Sequence, residues 1–409
     1  MKGKNVLITG ISGFVGSYLA KYLIDNGANV YGLTRWRTVH NPIKNLVDRG
    51  IHSEVRLIDG DLTDISSVAH ALDVSKADIV FHLGAQTYIP RSFIDPIETM
   101  RINVLGTQNL LEAIRIKDLD PKIIYAGSSE EYGLVLWSDK QYQQVKEKYK
   151  ALFPEPKEIP EIPISETNPL RPMSPYAVSK VACDYLMINY YSSYGMKTIV
   201  SRGFNTEGAG RGSMFVTSEI TKQVMMLKLK EKNKIEIGNV NAFRDWSHVL
   251  DIVRGYSLLA ENGKYGEIYN QGSSRTNSIL SYILLTLENA GWKIEKLETM
   301  KKDKLVNNPT ERINSEIFGV KFERTKVDQL ILEDELEYSL ADRGLIVYTD
   351  KGNIPIEFDP SRFRPAEVPM LLSDTSKISR LNFEVRHRLE DIIRDQLNFY
   401  LKQENRQER

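Results

Sequence analysis

The chain has 409 residues, 41% of them apolar, and its 54 basic side chains balance its 54 acidic ones. At roughly 100–200 residues per domain this length predicts two domains, with enough apolar residues for a core in each. A neutral chain gives no electrostatic reason to expect a nucleic acid or an anionic membrane surface as its partner. The mean hydropathy is −0.34, and no apolar run reaches the ~18 residues of a membrane-spanning helix.

The cysteine and histidine content excludes two kinds of stabilising site. Cys183 is the only cysteine, so no intramolecular disulfide is possible. The six histidines are scattered without ligand spacing, so no metal site is expected, and His82 at the end of an apolar run is expected to be packed or hydrogen-bonded. The first residues, MKGKNVLITG, lack the apolar segment and cleavage site of a secretion signal, and we expect a soluble, cytoplasmic protein.

Strand-like and helix-like segments alternate along the first half of the chain. The strand-like segments are residues 5–10, 29–35, 54–62, 77–86, 122–130 and 197–205, and the clearest helix-like ones are 14–26, 95–117 and 175–194. Strand, helix and strand in repetition predict a parallel sheet with helices on both faces. Because crossovers between parallel strands are right-handed, the expected fold is α/β, with a Rossmann-type doubly wound parallel sheet.

Two stretches break this alternation. Residues 134–164 are charged and end in EPKEIPEIPI, whose prolines prevent a continuous helix, so we interpret them as an inserted loop or lid. Residues from about 297 to 360 carry many charges without a clean period and are interpreted as a second insertion. We therefore predict a dinucleotide-binding domain over 1–205, to which residues from about 240 to 262 return, and a smaller, interleaved α/β substrate domain over 206–409.

The first predicted strand leads into a glycine-rich turn, TGISGFVG, at residues 9–16. Gly10, Gly13 and Gly16 give the tight turn and close backbone approach that a pyrophosphate needs at a helix N-terminus. The alternative is a glycine-rich turn without a ligand, but the preceding strand and following helix supply the context of a dinucleotide site. With Phe14, these glycines are the expected contacts of the cofactor phosphates.

Basic residues at the end of the second predicted strand bear on the choice of cofactor. An acidic residue there binds the ribose of NAD, whereas arginine accommodates the 2′-phosphate of NADP. This chain has Arg35 and Arg37 and no acidic residue between 29 and 47, which favours NADP over NAD unless both arginines are ordinary solvated charges. Asp61, followed by Leu62, ends the third predicted strand where an adenine would lie, or else caps the next helix.

A tyrosine and a lysine lie four residues apart in SPYAVSK, at residues 174–180. Tyr176 and Lys180 share one helix face, and the lysine charge favours the phenolate that a tyrosine base requires. Ser128 ends the fifth predicted strand, at the edge where open α/β sheets bind ligands, and its hydroxyl would hydrogen-bond a substrate oxygen. The spacing alone arises by chance in many helices, but together with the glycine turn and the serine it indicates catalysis.

On these motifs the chain resembles the extended short-chain dehydrogenase/reductase family, over about the first 275 residues and a patch at 363–377. The resemblance implies reversible oxidation of a sugar hydroxyl by bound NAD(P), with the sugar presented as a nucleotide diphosphate. It also implies a homodimer or homotetramer, because the helices near 95–117 and 175–194 form the dimer interface in such enzymes.

The two residues after Ser128 bear on which reaction of this family the chain would catalyse. Glu130 is placed to remove the C5 proton of a 4-ketosugar, a step that a 4,6-dehydratase needs and a 4-epimerase does not. The alternative is a surface glutamate at the end of a strand. The pattern resembles that of the GDP-mannose 4,6-dehydratases, which have a Ser-Glu pair where Ser129 and Glu130 stand, and Ser129 is expected to assist departure of the C6 hydroxyl. Further resembling segments are 82–93, 168–180, 237–251 and 363–374.

The same resemblance suggests contacts to the nucleotide and phosphates, namely Asn205, Arg211, Arg244 and Arg364. Arginine suits phosphate because it binds two oxygens at once, although each of the three is also explained by an ordinary ion pair. The chain reads NTEGAGRG at 205–212 where the GDP-mannose enzymes have NHESPRRG, so the sugar and base stay open.

Three functions are compatible with these residues. The leading one is an NADP-dependent nucleotide-sugar 4,6-dehydratase, which is expected to convert GDP-mannose by oxidation at C4, loss of water across C5–C6 and hydride return to C6. The second is another nucleotide-sugar enzyme of the family, a 4-epimerase or a uronate decarboxylase. The third is a dinucleotide-binding protein without catalysis, which the presence of serine, tyrosine and lysine together disfavours.

Overall fold

A computed structural model describes residues 1–35, 43–363 and 367–407. The chain divides into two compact units. The first unit comprises Met1–Thr206, Val249–Gly272 and Asp374–Val385, and the second comprises Glu207–His248, Ser273–Ser373 and Arg386–Arg409. Each unit is therefore built from three separate stretches of sequence.

The strands of the described residues are, in chain order, β1 (Asn5–Thr9), β2 (Asn29–Thr34), β3 (Arg56–Asp59), β4 (Ile79–His82), β5 (Lys122–Ser128), β6 (Thr198–Gly203), β7 (Asn205–Glu207), β8 (Ile235–Ile237), β9 (Phe243–Arg244), β10 (Trp246–His248), β11 (Ile268–Gln271), β12 (Asn277–Ser278), β13 (Ile294–Thr299), β14 (Leu305–Asn307), β15 (Arg312–Ile317), β16 (Val320–Thr325), β17 (Gly344–Thr349) and β18 (Gly352–Phe358).

The α-helices are α1 (Phe14–Asp25), α2 (Lys44–Asp48), α3 (Ile65–Ser75), α4 (Ile89–Ile94), α5 (Pro96–Met100), α6 (Gly106–Ile116), α7 (Asp139–Tyr149), α8 (Pro175–Tyr194), α9 (Val216–Lys228), α10 (Val249–Asn262), α11 (Ile279–Asn289), α12 (Lys326–Leu332), α13 (Ser376–Ser379), α14 (Leu389–Leu401) and α15 (Gln403–Gln407). Of the helices in the described ranges, none has the length and apolar character that crossing a bilayer requires.

The first unit is organised around a seven-stranded sheet in the order β11-β6-β5-β4-β1-β2-β3. All of its strand pairs are parallel. Its strands are apolar on both faces, as a sheet covered by helices on both sides requires. In β1, Val6 and Ile8 pack with α1 and α10, whereas Leu7 between them packs with α3, α6 and α8. The predicted doubly wound α/β sheet is confirmed.

The segment predicted as one helix over 95–117 is interrupted. Helix α5 passes into a five-residue π-helical turn, Arg101–Leu105, before α6 begins at Gly106. The wider turn leaves the backbone carbonyl of Asn103 to accept hydrogen bonds from the Thr107 hydroxyl at 2.6 Å and the Cys183 thiol at 3.3 Å. Apolar periodicity cannot distinguish such a turn from a regular helix, because it adds one residue to a single turn.

The stretch 134–164 contains one regular helix, α7, capped by Ser138 and followed by the proline-rich segment. Arg171 holds this stretch together from just before α8. Its guanidinium donates to the carbonyl oxygens of Leu134 and Pro154, at 2.9 and 2.6 Å, and pairs with both carboxylate oxygens of Glu161 at 2.7 Å. Both side chains of this ion pair are at most 5% exposed. One buried arginine thereby fixes three separate points of the stretch.

The second unit combines a five-stranded sheet, in the order β14-β13-β17-β18-β8, with helices α9, α11 and α14. Helix α11 is buried from Ile279 to Leu287 on every face, as expected of a helix enclosed by other elements. The charged stretch from 297 to 360 forms most of this sheet and the separate hairpin β15–β16. Most of its strands carry charged or polar residues on their exposed positions, and these obscure the apolar pattern by which a strand is recognised.

Candidate active site

The glycine turn after β1 has the geometry of a phosphate-binding loop. Gly10 adopts φ +74°, and an added Cβ there would lie 2.9 Å from the backbone of Gly84. At Gly16 an added Cβ would lie 2.3 Å from the carbonyl oxygen of Gly10, so both positions require glycine. Helix α1 begins after Gly13 without a side-chain cap, and the N-terminal end of a helix attracts anions. The residues present therefore fit a bound pyrophosphate.

Further predicted cofactor residues surround this loop. Phe14 opens α1 and makes an edge-to-face contact with Tyr18. Arg35 follows β2 with an exposed side chain, and Arg37 lies outside the described residues. Asp61 accepts hydrogen bonds from the amide and hydroxyl of Thr63, both at 2.8 Å, and the cap of the next helix is instead Asp64.

Leu62 closes the space between the third and fourth strand ends. Its Cδ1 is 2.7 Å from the position of a Cβ added to Gly84, and its Cβ is 3.0 Å from one added to Gly106. The Leu62 carbonyl accepts a hydrogen bond from the Asn109 side chain at 2.8 Å. These contacts fix Leu62 beside the phosphate-binding loop, because Gly84 also borders Gly10.

Ser128 is the last residue of β5 and the cap of a short 3-10 turn formed by Ser129–Glu131. Its hydroxyl oxygen accepts the Glu130 amide at 3.2 Å, and its own amide donates to the Glu131 carboxylate at 2.7 Å. The Glu130 carboxylate makes no hydrogen bond to any of the described residues, although the residue is only 9% exposed. The turn thus presents a hydroxyl and an unpaired carboxylate together.

Helix α8 begins next to this turn and carries the predicted tyrosine and lysine. Ser174 caps it by accepting the Ala177 amide, and Pro175 occupies its first position. Tyr176 and Lys180 are both buried, and the lysine Nζ lies 5.9 Å from the tyrosine ring centroid. The Nζ donates to the carbonyl of Ala126, two residues before Ser128. The structure therefore brings Ser128, Glu130, Tyr176 and Lys180 together at one edge of the sheet.

Burial shapes the electrostatics of Lys180. Loss of water around Nζ lowers the pKa of Lys180 below that of an exposed lysine, while Cys183, Glu131 and Asp184 oppose this shift as potential negative charges. The ammonium also faces the Tyr125 ring, 4.8 Å from its centroid.

Helix α8 is tied to the sheet through a chain of buried hydrogen bonds centred on His82. Its Nδ1 lies 2.7 Å from the Thr9 hydroxyl and its Nε2 lies 2.9 Å from the Thr107 hydroxyl. Because Thr107 donates to the Asn103 carbonyl, Nε2 must carry the proton and Nδ1 must accept from Thr9. The Asn103 amide then donates to Ser179 of α8 at 2.8 Å. Burial lowers the pKa of His82 to about 3, so this imidazole is neutral.

Comparisons with known proteins establish the family of this chain. Residues 6–272 match the model of the NAD dependent epimerase/dehydratase family, which covers more than half of the chain. The chain belongs to this family. The predicted membership of the extended short-chain dehydrogenase/reductases is thereby confirmed.

Curated relatives within the family align over most of the chain. A protein named GDP-mannose 4,6-dehydratase from Yersinia enterocolitica is 30% identical over 382 residues, which cover 91% of this chain and 87% of the relative. A protein named GDP-mannose 4,6 dehydratase 1 from Arabidopsis thaliana is also 30% identical, over 87% of this chain and 96% of the relative.

Solved structures share the family fold at lower identity. RMD from Pseudomonas aeruginosa, complexed with NADPH, superposes with a TM-score of 0.64 at 22% identity and covers 97% of this chain and 99% of that one. UDP-glucose 4-epimerase from Bifidobacterium longum, in complex with NAD+ and UDP, gives 0.69 at 20% identity and covers 98% of this chain and 99% of that one. At these identities the likeness establishes the fold.

The residues expected to contact the nucleotide differ in their hydrogen bonds and ion pairs. The Asn205 Oδ1 is buried and receives no hydrogen bond from the described residues. Arg211 pairs with the buried Glu207, Nε to Oε2 at 3.0 Å. Arg244 is 5% exposed and donates to Glu367 and to two backbone carbonyls. Arg364 lies outside the described residues. Two of these arginines thus already have a carboxylate partner within the second unit.

Sequence reasoning missed Glu131, Asp184 and Arg202, which lie directly behind the site. Arg202 Nε is 2.7 Å from Asp184 Oδ2 and 3.2 Å from Glu131 Oε2. All three side chains are at most 4% exposed. Glu131 directly follows Glu130, but nothing in the order of the residues indicates which of these two glutamates faces the core.

Proposed function

We propose that this protein is an NADP-dependent nucleotide-sugar 4,6-dehydratase that converts GDP-mannose to GDP-4-keto-6-deoxymannose. The observation that carries this proposal is the Ser128–Glu130 turn, which presents a hydroxyl and an unpaired carboxylate beside Tyr176 and Lys180. Relatives named GDP-mannose 4,6-dehydratase that align over about nine-tenths of the chain support the substrate.

The cofactor would be held by residues of the first unit. Gly10, Gly13 and Gly16 and the N–H groups at the start of α1 would bind its pyrophosphate, with Phe14 alongside. Asp61 and Leu62 would lie on its adenine side, and Lys180 with Tyr176 on its nicotinamide ribose. Arg35 supports NADP over NAD, because a basic side chain after β2 accommodates a 2′-phosphate. When bound, the nicotinamide supplies a hydride acceptor for C4 and a donor for C6.

The chain's own residues would move the protons. Tyr176 takes the proton of the 4-hydroxyl as its phenolate, which the nearby Lys180 charge favours, and Ser128 donates a hydrogen bond to the 4-oxygen. Glu130 removes the C5 proton, which the C4 ketone makes acidic. The electrons of that bond form the C5–C6 double bond as hydroxide leaves C6 with a proton that Ser129 delivers, directly or through water. Glu130 would then return its proton to C5 when hydride adds to C6, which leaves a methyl group at C6 and the ketone at C4.

The contacts to the nucleotide diphosphate would come from Asn205, Arg211, Arg244 and Arg364. The buried, unpaired Oδ1 of Asn205 supports such a contact, since a buried polar atom normally has a partner. For Arg211 and Arg244 the proposal requires that each guanidinium binds phosphate in addition to its carboxylate partner. The five N–H donors of arginine allow this sharing.

We also propose that the protein forms a homodimer or homotetramer through the surface of α5, the π-helical turn and α8. This surface exposes large apolar side chains, among them Ile97 at 79%, Tyr185 at 63% and Leu105 at 51%. Clustered exposed apolar side chains of this size mark interaction surfaces. Light scattering of the purified protein would give the oligomeric state, and Tyr185→Glu should shift it toward monomer.

The test is incubation of the purified protein with GDP-mannose, UDP-glucuronate, UDP-glucose and dTDP-glucose, each read by mass spectrometry without added cofactor. Loss of one water from GDP-mannose alone is the expected result. Loss of carbon dioxide from the uronate would instead make the protein a decarboxylase, and an isomer without mass change would make it an epimerase. Either result would overturn the proposal.

Variants assign the roles of individual residues. Glu130→Gln should abolish water loss and the exchange of the C5 hydrogen with deuterated solvent. Tyr176→Phe should lower turnover by about 10²–10⁴, the usual contribution of a general base. Glu147→Gln, a matched change of an exposed glutamate on α7, should leave turnover unchanged.

A further inference from the structure

Two buried carboxyl groups meet behind the catalytic edge of the first unit. Glu131 belongs to the turn that presents Ser128 and Glu130, and Asp184 lies on α8, one helical turn after Lys180. The approach is close because the intervening strand residue is Gly127. A Cβ there would lie 3.0 Å from Glu131 Oε1 and 3.1 Å from Asp184 Oδ1.

Each carboxyl group of this pair has one oxygen that accepts a hydrogen bond and one that does not. Glu131 Oε1 accepts the Ser128 amide, and Asp184 Oδ2 accepts Nε–H of Arg202 at 2.7 Å. Within the described residues, Glu131 Oε2 and Asp184 Oδ1 are buried and receive no hydrogen bond, and Glu131 Oε2 has only the ion-pair contact with Arg202 Nε at 3.2 Å. A proton carried by either group would supply a donor to the other, and buried carboxyl oxygens normally have such partners.

Burial favours the same arrangement, because a carboxyl group away from water loses the hydration that stabilises its charged form. Burial raises the pKa of Glu131 well above its ordinary value, and the adjacent Asp184 charge adds to this shift. The other titratable or charged groups facing this cluster are Tyr125, Tyr132, Lys180 and Cys183.

The geometry points to Glu131 and Asp184 as a proton-sharing pair that, with Arg202, fixes the Ser128–Glu130 turn against the helix that carries Tyr176 and Lys180. These are positioning residues, because they hold catalytic groups and do not themselves touch the substrate. Glu131 reaches the turn through the Ser128 amide, and Asp184 shares the helix face of Tyr176 and Lys180 at intervals of four residues. The catalytic part of this inference rests on the proposed dehydratase function.

Amide and apolar substitutions separate the hydrogen bonds from the charge. Glu131→Gln keeps an oxygen for the Ser128 amide and offers an N–H to Asp184, so it imitates the protonated acid. Glu131→Leu fills similar space without either bond. We expect kcat within threefold of the unsubstituted protein for Glu131→Gln, and at least a tenfold loss of kcat with KM within twofold for Glu131→Leu. Asp328→Asn, at an equally buried carboxylate of the second unit, should leave kcat within twofold.

Two spectroscopic readouts test the pair without any turnover. The infrared spectrum at neutral pH should show a protonated carboxylic acid band that shifts in D2O and disappears in Glu131→Gln. In NMR spectra, the Ser128 amide should be protected from exchange in the unsubstituted protein and in Glu131→Gln, but not in Glu131→Leu.

The outcomes distinguish the two proposals. If no nucleotide sugar is turned over while the infrared band and the amide protection follow the expected pattern, the dehydratase proposal fails and the shared proton and its hold on the turn stand. Absence of the band overturns the shared proton. Equal kcat values for Glu131→Leu and Glu131→Gln overturn the positioning role.

Discussion

Replacing His82 by glutamine should remove a specific part of the acid sensitivity of the first unit. His82 is 1% exposed, lies between the Thr9 and Thr107 hydroxyls, and has its pKa lowered by burial to about 3. In the unfolded chain an imidazole has a pKa of about 6.5. As the pH falls below that value, the unfolded state binds a proton that the folded state does not, so folding stability decreases.

The magnitude follows from these two pKa values. Between pH 7 and pH 5 the loss from His82 is about 2 kcal/mol, and it reaches about 4 kcal/mol at pH 3. Glutamine also disturbs the buried hydrogen bonds, but that cost does not depend on pH. The difference in pH slope between the two proteins therefore isolates the imidazole.

Hydrogen exchange of the β4 amides measures this effect, because exchange from a central strand reports unfolding of the unit around it. After correction for intrinsic rates, the opening free energy should fall by about 2 kcal/mol less in His82→Gln than in the unsubstituted protein between pH 7 and pH 5. Parallel slopes for both proteins would refute the reasoning. So would an NMR titration in which the folded His82 gains its proton near pH 6.5.

Three other substitutions test separate parts of the structure. Gly10→Ala should lower cofactor affinity at least tenfold, as measured by fluorescence titration, and should destabilise the protein more than Gly50→Ala in thermal unfolding. Both glycines have positive φ, but of the two only Gly10 has a neighbouring backbone within 3 Å of an added Cβ. Arg171→Ala should destabilise the first unit by about 3–5 kcal/mol, because Glu161 is left buried without its partner, and limited proteolysis should then cut the 134–164 stretch first. Leu285→Ala should cost about 2–5 kcal/mol in the second unit through the cavity it leaves, and an unchanged denaturation midpoint would contradict the enclosed position of α11.

Helices and strands were predicted correctly where their apolar pattern and end signals are strong. Helix α8 has the predicted bounds because serine and proline mark its start and Gly195 its end. Strands of the central sheet were placed correctly but too long, since the residues that follow their ends form turns at the site. Strand β11 was missed, because Ile268–Gln271 has four residues and only two apolar ones.

The residues of the candidate site could be predicted only where they belong to a short motif with a fixed spacing in the sequence. The glycine turn and the tyrosine-lysine interval are short motifs, and the structure brings them to the same sheet edge as Ser128. The hydrogen bonds of His82 and the contact of Glu131 with Asp184 join residues that are at least 25 positions apart. Such contacts depend on the register of β4, β5 and β6, which composition and periodicity do not specify.

The discontinuous first unit has a consequence during synthesis on the ribosome. Strand β6 can pair with β5 once Gly203 has emerged, but its other edge stays open until β11 arrives, 65 residues later in the chain. The segment Asp374–Val385, which packs Ile378 and Phe383 against Ile199 and Tyr269, emerges later still. A nascent chain therefore exposes an unpaired strand edge while these 65 residues are added, and such edges are templates for wrong pairing. Protection of that edge would fall to chaperones or to rapid elongation through the second unit.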